Sequence, residues 1–208
     1  MKIAILGAGV VGATLAAGWA KAGHEVRFGA RNAASDKVTK ALAAIPGASA
    51  GEIRTTLAWS DCALLATPWG GTEPMLAAAG DFAGKPLLDA TNPLTPAYEL
   101  AIGHTTSAGE QVQAWAPTAK VVKIFNSTGF DNMREPRYSE SRALMLYAGE
   151  DPSAKQVAHA LADTLGFEPV DLGPLSASRY LEPMAVAWIR LAYMQKLGQN
   201  VAFGLLRR

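Results

Sequence analysis

Short runs of consecutive apolar residues recur along this chain, and most are followed by glycine or by polar residues. These runs lack polar alternation, which is typical of strands that are buried on both faces of a parallel sheet. Stretches rich in helix-forming residues separate them, so the pattern predicts an α/β protein with a doubly wound, mostly parallel sheet. We interpret as strands residues 2–6, 25–28, 62–66, 86–89, 120–125, 143–148 and 168–171.

The connection after the first strand has the sequence Gly-Ala-Gly-Val-Val-Gly and opens a helix. A G-x-G-x-x-G motif in this context indicates a Rossmann-type dinucleotide-binding domain. Gly7 permits a tight turn, Gly9 lets a pyrophosphate approach the backbone, and Gly12 lets the helix pack closely on the strand. The helix N-terminus adds free N–H groups and the positive end of a dipole.

The residues after the second strand bear on the choice between NAD and NADP. An NAD site usually carries an acidic residue there, but this chain has Ala30, Arg31 and Asn32. Ala30 removes the repulsion that a carboxylate would exert on a 2′-phosphate, and Arg31 can bind that phosphate. We therefore predict NADP(H), with a solvated loop position for Arg31 as the alternative.

Polar residues follow three further predicted strands, at the edge where ligands bind in open α/β sheets. They are Thr67-Pro68-Trp69, Asn92 and Asn126. Trp69 lies either near a cofactor ring or over the core. Asn92 either bonds a carboxamide or ribose or forms an Asx turn before Pro93.

Helices are predicted over residues 13–22, 35–45, 72–79, 108–116 and 152–165, and a long apolar helical stretch follows Ser176. The apolar spacing of that stretch favours packing or a subunit interface over substrate contact, so we expect a homodimer. The division predicted is an NAD(P)-binding domain at residues 1–173 and a C-terminal helical segment at 174–208 packed on it. Residues 130–142, with three arginines, are expected to form an exposed loop.

Composition excludes several classes of protein. The net charge of +1 argues against nucleic-acid and membrane-surface partners. The single cysteine, Cys62, permits no internal disulfide and fits a core residue, and the three separated histidines lack the spacing of metal ligands. Residues 3–20 carry no charge and resemble a signal peptide or membrane span, but the glycine spacing and the following strand favour a cytoplasmic dinucleotide-binding protein.

The spaced combination of motifs resembles a known family. The segments GAGVVG, GARN, LATPWG, DATNPL, VVKIFNSTG and DLGPLSASRYLEP resemble the NADP oxidoreductases typified by coenzyme F420-dependent NADP reductase. Related dinucleotide-binding proteins and the cytosolic domain of STEAP ferric reductases share this pattern. The resemblance implies NADP along the strand ends and hydride transfer to a flavin-like acceptor stacked on the nicotinamide.

The resemblance also implies roles for individual residues. Ala8, Gly9, Val10 and Val11 would hold the pyrophosphate, and Arg31 with Asn32 the 2′-phosphate. Thr67, Pro68 and Trp69 would line the ribose and nicotinamide, with Asn92 and Asn126 near the reacting ring. The chain departs from the archaeal reductases after Asn32, where Ala33-Ala34-Ser35 replaces basic residues and leaves Lys37 as a helper. No deazaflavin-specific motif is present on the acceptor side.

These observations predict an NADPH-dependent oxidoreductase that reduces coenzyme F420, a flavin or a quinone. Hydride transfer between stacked rings needs no acid–base residue, and none is obvious in the three loops. One alternative is reduction of a small carbonyl or imine, with Lys123, Tyr180 or His104 as the proton donor. The other is a non-catalytic redox sensor that binds NADPH.

Overall fold

The computed structural model describes residues 1–208, and its eight strands form one continuous sheet. The strands are β1 Lys2–Leu6, β2 Glu25–Gly29, β3 Ser49–Gly51, β4 Cys62–Leu65, β5 Pro86–Asp89, β6 Lys120–Lys123, β7 Leu144–Gly149 and β8 Glu168–Asp171. Their order is β3-β2-β1-β4-β5-β6-β7-β8. The first six run parallel, β7 is antiparallel to β6, and β8 is parallel to β7. The predicted α/β class and the mostly parallel, doubly wound sheet are confirmed.

Helices connect the strands and cover both faces of the sheet. They are α1 Val10–Lys21, α2 Asp36–Ala44, α3 Ile53–Trp59, α4 Thr72–Ala79, α5 Ala108–Trp115, α6 Phe130–Arg134, α7 Pro152–Leu165 and α8 Ser178–Ile189. The apolar run of β1 has no alternation of apolar and polar residues because its side chains enter two cores, one on each face of the sheet. Ile3 and Ile5 pack into the core that contains α1 and α7, whereas Ala4 and Leu6 pack into the core with α3 and α4.

The start of the predicted arginine loop is helical, so the expectation of an exposed loop from residue 130 was wrong there. Asn132 and Met133 of α6 are buried. The side chain of Asn132 donates to Thr128 Oγ1 at 2.8 Å and to the carbonyl of Val201 at 2.6 Å. A helix of five residues depends on such tertiary contacts, which a local pattern does not reveal.

The terminal helical stretch is shorter than predicted. Helix α8 ends at Ile189, and one turn of π-helix, Arg190–Met194, follows it. The remaining chain turns back over the body of the protein, where the carbonyl of Phe203 accepts from the N–H of Leu144 at 2.8 Å. The division at residue 173 stays a prediction.

Cys62 begins β4 at the centre of the sheet. Its side chain is fully buried, and burial raises the pKa of the thiol to about 12. This is the environment of a core cysteine. None of the helices combines the length and the apolar character needed to cross a bilayer.

Candidate active site

The turn between β1 and α1 can form only with glycine at two positions. Gly7 has φ of +126°, and a Cβ there would lie 2.5 Å from the carbonyl oxygen of Ala66 at the end of β4. A Cβ on Gly12 would lie 2.0 Å from the carbonyl oxygen of Gly7. The first turn of α1 therefore packs directly against the backbone of the connection.

Gly9 has a different environment. A Cβ on Gly9 would meet no atom within 4 Å, so the position opens onto free space. Gly9 is the N-cap of α1, and no side chain caps the helix. The free N–H groups and the open approach fit a pyrophosphate, as the sequence predicts.

The residues predicted to select NADP lie at the carboxyl end of β2. Arg31 and Asn32 are exposed, and Arg31 belongs to none of the ion pairs of the molecule. The Oδ1 atom of Asn32 accepts from the N–H of Ala34 at 2.9 Å, so this oxygen is engaged in its own turn. The guanidinium of Arg31 is thus the group here that is free to meet a phosphate.

The pyrophosphate turn also borders a groove of about 790 Å³ between α1 and α2. No acidic residue lines this groove, and its cations are Lys21, Lys37, Lys40 and Arg134. Lys37, named from the sequence as a helper, faces the same space as Gly9 and Val10. The sequence did not predict a role for Lys40, one helical turn after Lys37, or for Arg134, which lies on α6.

The loop after β4 is held mainly by its own contacts. Thr67 Oγ1 lies 3.0 Å from Thr72 Oγ1, which also donates to the carbonyl of Pro68 at 3.3 Å. Trp69 packs on Trp115 with ring centroids 5.2 Å apart and joins the core beneath α4 and α5. Trp69 thus contacts the core, and a position near the cofactor ring stays a prediction.

Asn92 and Asn126 follow adjacent parallel strands, and the structure brings them together. Asn92 Nδ2 donates to the Asn126 carbonyl at 2.8 Å, and Asn126 Nδ2 donates to Asn92 Oδ1 at 3.1 Å. Asn126 Nδ2 also donates to the carbonyl of Leu181 in α8 at 2.9 Å. The side chain of Asn92 thus bonds across the two loops, and the Asx-turn alternative is wrong.

One polar atom of this pair has no partner. The Oδ1 atom of Asn126 is buried and accepts no hydrogen bond. The preceding residue, Phe125, has φ of +61°, which is unusual for a bulky residue and marks stored backbone strain. A buried acceptor without a donor is a group that a bound ligand or water molecule can satisfy.

A cavity of about 240 Å³ lies beside this pair, between the sheet edge and α8. Three aromatic side chains contribute to its wall, namely Tyr98, Trp188 and Tyr193, and none of them was identified from the sequence. The complete lining is Asn92, Tyr98, Asn126, Thr128, Ala185, Trp188, Ile189 and Tyr193. It contains no carboxylate, imidazole, thiol, ammonium or guanidinium group.

Trp188 is fixed by contacts from three directions. A Cβ on Gly129 would lie 2.3 Å from Cη2 of the indole, so the ring rests directly on the backbone after β6. Its N–H donates to the carbonyl of Val201 at 2.6 Å, and Tyr193 packs edge-on with ring centroids 5.9 Å apart. These contacts fix the indole as a wall of the cavity.

The proton donors considered from the sequence lie elsewhere. Lys123 is fully buried in an ion pair with Asp89, Tyr180 is 71% exposed on α8, and His104 is exposed. None of them lines the cavity. No signal in the sequence pointed to Tyr98 or Tyr193, because they reach the cavity from segments remote in the chain.

A parallel α/β sheet with a glycine turn at its switch point defines a dinucleotide-binding protein. The model of the family "NADP oxidoreductase coenzyme F420-dependent" matches residues 2–93. A crystal structure from Arthrobacter sp. FB24, assigned as an F420-dependent NADP reductase, is 32% identical, with a TM-score of 0.90 and coverage of 100% of both chains. The protein belongs to this family of NADP-dependent oxidoreductases, which confirms the predicted enzyme class.

Two further relatives match this chain, one in structure and one in sequence. A hypothetical protein from Sinorhizobium meliloti is 27% identical, with a TM-score of 0.75 over 100% of this chain and 96% of the other. Metalloreductase STEAP3 of Rattus norvegicus is 30% identical over 128 residues, 61% of this chain. The chain spans only 25% of the length of that relative.

Proposed function

We propose that this protein transfers a hydride between NADP(H) and a flavin-like acceptor, either coenzyme F420, a flavin or a quinone. The observation that carries the proposal is the cavity beside Asn92 and Asn126, which has aromatic walls and no carboxylate, imidazole, thiol or ammonium group. Transfer between stacked rings requires proximity and orientation rather than a proton donor. The Arthrobacter structure, assigned as an F420-dependent NADP reductase, supports this reaction class.

The residues of the chain would bind and orient the reactants. NADP(H), when bound, supplies or accepts the hydride. The backbone of Gly7 to Gly12 and the N-terminus of α1 would hold the pyrophosphate, and the free guanidinium of Arg31, beside Ala30, would bind the 2′-phosphate. Ala8, Val10 and Val11 belong to the same turn. Contacts of NADP(H) with Asn32, Thr67, Pro68 and Trp69 stay predictions.

Asn126 and the aromatic wall would act at the reacting end. The unpartnered Oδ1 of Asn126 fits an amide N–H, such as that of a carboxamide, while Asn92 holds the Asn126 side chain in place. Trp188 and Tyr193 would offer ring surfaces on which a planar acceptor can stack.

The test is NADPH oxidation by the purified protein with oxidised F420, FMN, FAD and a soluble quinone as separate acceptors. We expect turnover with at least one of these acceptors and faster oxidation of NADPH than of NADH. NADPH binding without turnover across the whole panel would instead support the redox-sensor alternative. The control is Tyr180→Phe, an exposed change on α8 outside the cavity, which should leave the rate unchanged.

One observation favours reduction of a small carbonyl or imine as the second candidate. The phenol groups of Tyr98 and Tyr193 belong to residues that line the cavity, and a phenol can donate the proton that this reaction requires. Reductive aminase from Aspergillus terreus is 21% identical, with a TM-score of 0.67 over 94% of this chain and 62% of the other, and supports the fold alone. Loss of activity in Tyr98→Phe or Tyr193→Phe would favour this candidate; unchanged flavin reduction in both variants would favour hydride transfer between rings.

The homodimer and the cytoplasmic location stay proposals. Leu191, Met194 and Leu197 are exposed at the end of the C-terminal helical stretch and give the protein an apolar surface there. Light scattering during size-exclusion chromatography measures the oligomeric state. The mass of one chain would overturn the dimer, and Leu197→Lys should reduce dimerisation if this surface forms the interface.

A further inference from the structure

Three buried charged side chains lie behind the loops that carry Asn92 and Asn126. The Nζ atom of Lys123 in β6 is 3.0 Å from Oδ2 of Asp89 and 3.2 Å from Oε1 of Glu182, and all three side chains are at most 1% exposed. Lys123 Nζ also donates to the carbonyl of Thr91 at 2.6 Å. One ammonium group thus contacts β5, the loop after β5, and α8.

The carboxylates have further partners. Asp89 Oδ1 accepts from the N–H and the hydroxyl of Thr91 at 2.9 and 2.7 Å. Glu182 accepts from the N–H groups of Ala108 and Gly109, both at 3.0 Å, in the first turn of α5. Because both carboxylates accept several hydrogen bonds, this network favours a single relative position of β5, β6, α5 and α8.

The position of this ion cluster relates it to the cavity. Thr91 immediately precedes Asn92, and Lys123 precedes Asn126 by three residues in the same segment. Glu182 lies on α8, two helical turns before Ile189 and closer still to Trp188. The loop before Asn92, strand β6 before Asn126 and helix α8 are therefore tied to the cluster, which includes no residue of the glycine turn.

We propose that Lys123 and Glu182 are positioning residues that hold α8 at the separation from the sheet edge required to bind the acceptor. Neither residue lines the cavity, so each acts through another group: Lys123 through the Thr91 carbonyl, and Glu182 through the helix that carries Trp188. The proposal rests on the proposed function, since it takes the cavity as the acceptor site. It assigns the cluster to the acceptor end of the site and not to the glycine turn or Arg31, which would hold the phosphates of NADP.

The chain provides a matched control on the same two helices. Arg179 of α8 bonds Glu110 of α5, with Arg179 Nη2 at 2.6 Å from Glu110 Oε1. This pair also joins α5 to α8, but its side chains are 36% and 26% exposed. Glu110→Gln therefore repeats the chemical change of Glu182→Gln between the same elements in a solvated setting.

The experiment compares Glu182→Gln with Glu110→Gln in the full chain. The amide of Glu182→Gln has one acceptor oxygen and cannot satisfy both N–H groups of α5 and Lys123. We expect the KM for the acceptor to rise about tenfold through misplacement of α8, with a smaller change in the Kd for NADPH, whose phosphates bind at the glycine turn. Glu110→Gln should leave both constants unchanged. An unaltered acceptor KM in Glu182→Gln, or a parallel rise in the Kd for NADPH, would overturn the proposal.

Two additions keep the proposal testable in other circumstances. If Glu182→Gln fails to fold, Thr91→Val removes one donor to Asp89 and should raise the acceptor KM in the same direction by a smaller factor; no rise overturns the proposal. If the wild type turns over no acceptor, the proposed function fails. Hydrogen–deuterium exchange of Glu182→Gln, compared with the wild type, then tests the positioning role. Faster exchange confined to residues 178–194 supports this role, and unchanged exchange there overturns it.

Discussion

The glycine turn and the aromatic cavity lie at the same edge of one sheet but differ in the groups that form them. The turn at residues 7–12 is made of consecutive residues. Its surface is formed by backbone N–H groups, which are accessible because the glycines have no side chains. The cavity is made of side chains from the loops after β5 and β6, from α8 and from the π-helical turn that follows it, and its tryptophan depends on contacts with Gly129 and Val201. Local sequence therefore specifies the first region, whereas tertiary packing specifies the second.

The largest effect should come from Gly12→Ala. Its Cβ would lie 2.0 Å from the Gly7 carbonyl oxygen, so α1 must move away from the turn. We expect a loss of more than about 3 kcal/mol in the free energy of unfolding, together with loss of NADPH binding. Chemical denaturation and fluorescence titration measure the two quantities. Gly9→Ala is the control, because its Cβ meets no atom: stability should be retained while NADPH affinity falls.

Gly129→Ala transfers the same test to the cavity. The added Cβ would lie 2.3 Å from Trp188 and displace the indole. We expect a loss of about 1–3 kcal/mol in stability and a several-fold higher acceptor KM, with the Kd for NADPH unchanged. If NADPH affinity fell as far as acceptor affinity, the two regions would not be independent. Gly70→Ala, whose Cβ has open space, is a matched glycine control for stability.

Arg31→Ala should separate the two cofactors without affecting the acceptor. Loss of a charge-assisted phosphate contact on an exposed arginine predicts roughly tenfold weaker NADPH binding and unchanged NADH binding. Titration at low and high salt measures the effect, which salt should diminish. An equal loss for NADPH and NADH would remove Arg31 from the 2′-phosphate site. The NADPH affinities of Lys37→Ala and Lys40→Ala measure how much the lysines of the neighbouring groove contribute to binding of the 2′-phosphate.

The smallest effect concerns a site remote from both regions. Asp151 is the N-cap of α7, and hydrogen bonds from Ser153, Lys120 and the Ala154 N–H hold its pKa well below the ordinary value of 3.8. Because the folded pKa is depressed, its contribution to stability is present above pH 4 and is lost as pH falls below it. Asp151→Asn should lower the Tm at pH 7, and the difference from wild type should shrink on acidification. Both binding constants should stay unchanged at pH 7.

Much of the fold could be predicted because its signals are local. The apolar runs and the glycine spacing each lie within a few residues of the structure that they specify. The reversal at β7 and the five-residue helix α6 could not, since both depend on partners far away in the chain. The residues of the glycine turn and the Asn92–Asn126 pair were named from the sequence because each directly follows a recognisable strand.

The aromatic cavity, which is the proposed acceptor site, was predicted less well from the sequence. Lys123 was considered as a proton donor, yet its charge is used in an ion cluster with Glu182, 59 residues further along the chain. Tyr98, Trp188 and Tyr193 were missed because no periodicity indicates which exposed or core aromatic residue faces a cavity. Contacts at long sequence separation form the aromatic cavity there, so only the folded structure could show it.

The buried thiol of Cys62 has a practical consequence for measuring these effects. With its pKa raised to about 12 and no exposed surface, the thiol is almost entirely protonated and out of reach at neutral pH. An alkylating reagent can reach it only when the central strand β4 opens. Because this is the chain's one cysteine, the rate of its modification reports opening of the core in every variant, free of any other thiol signal.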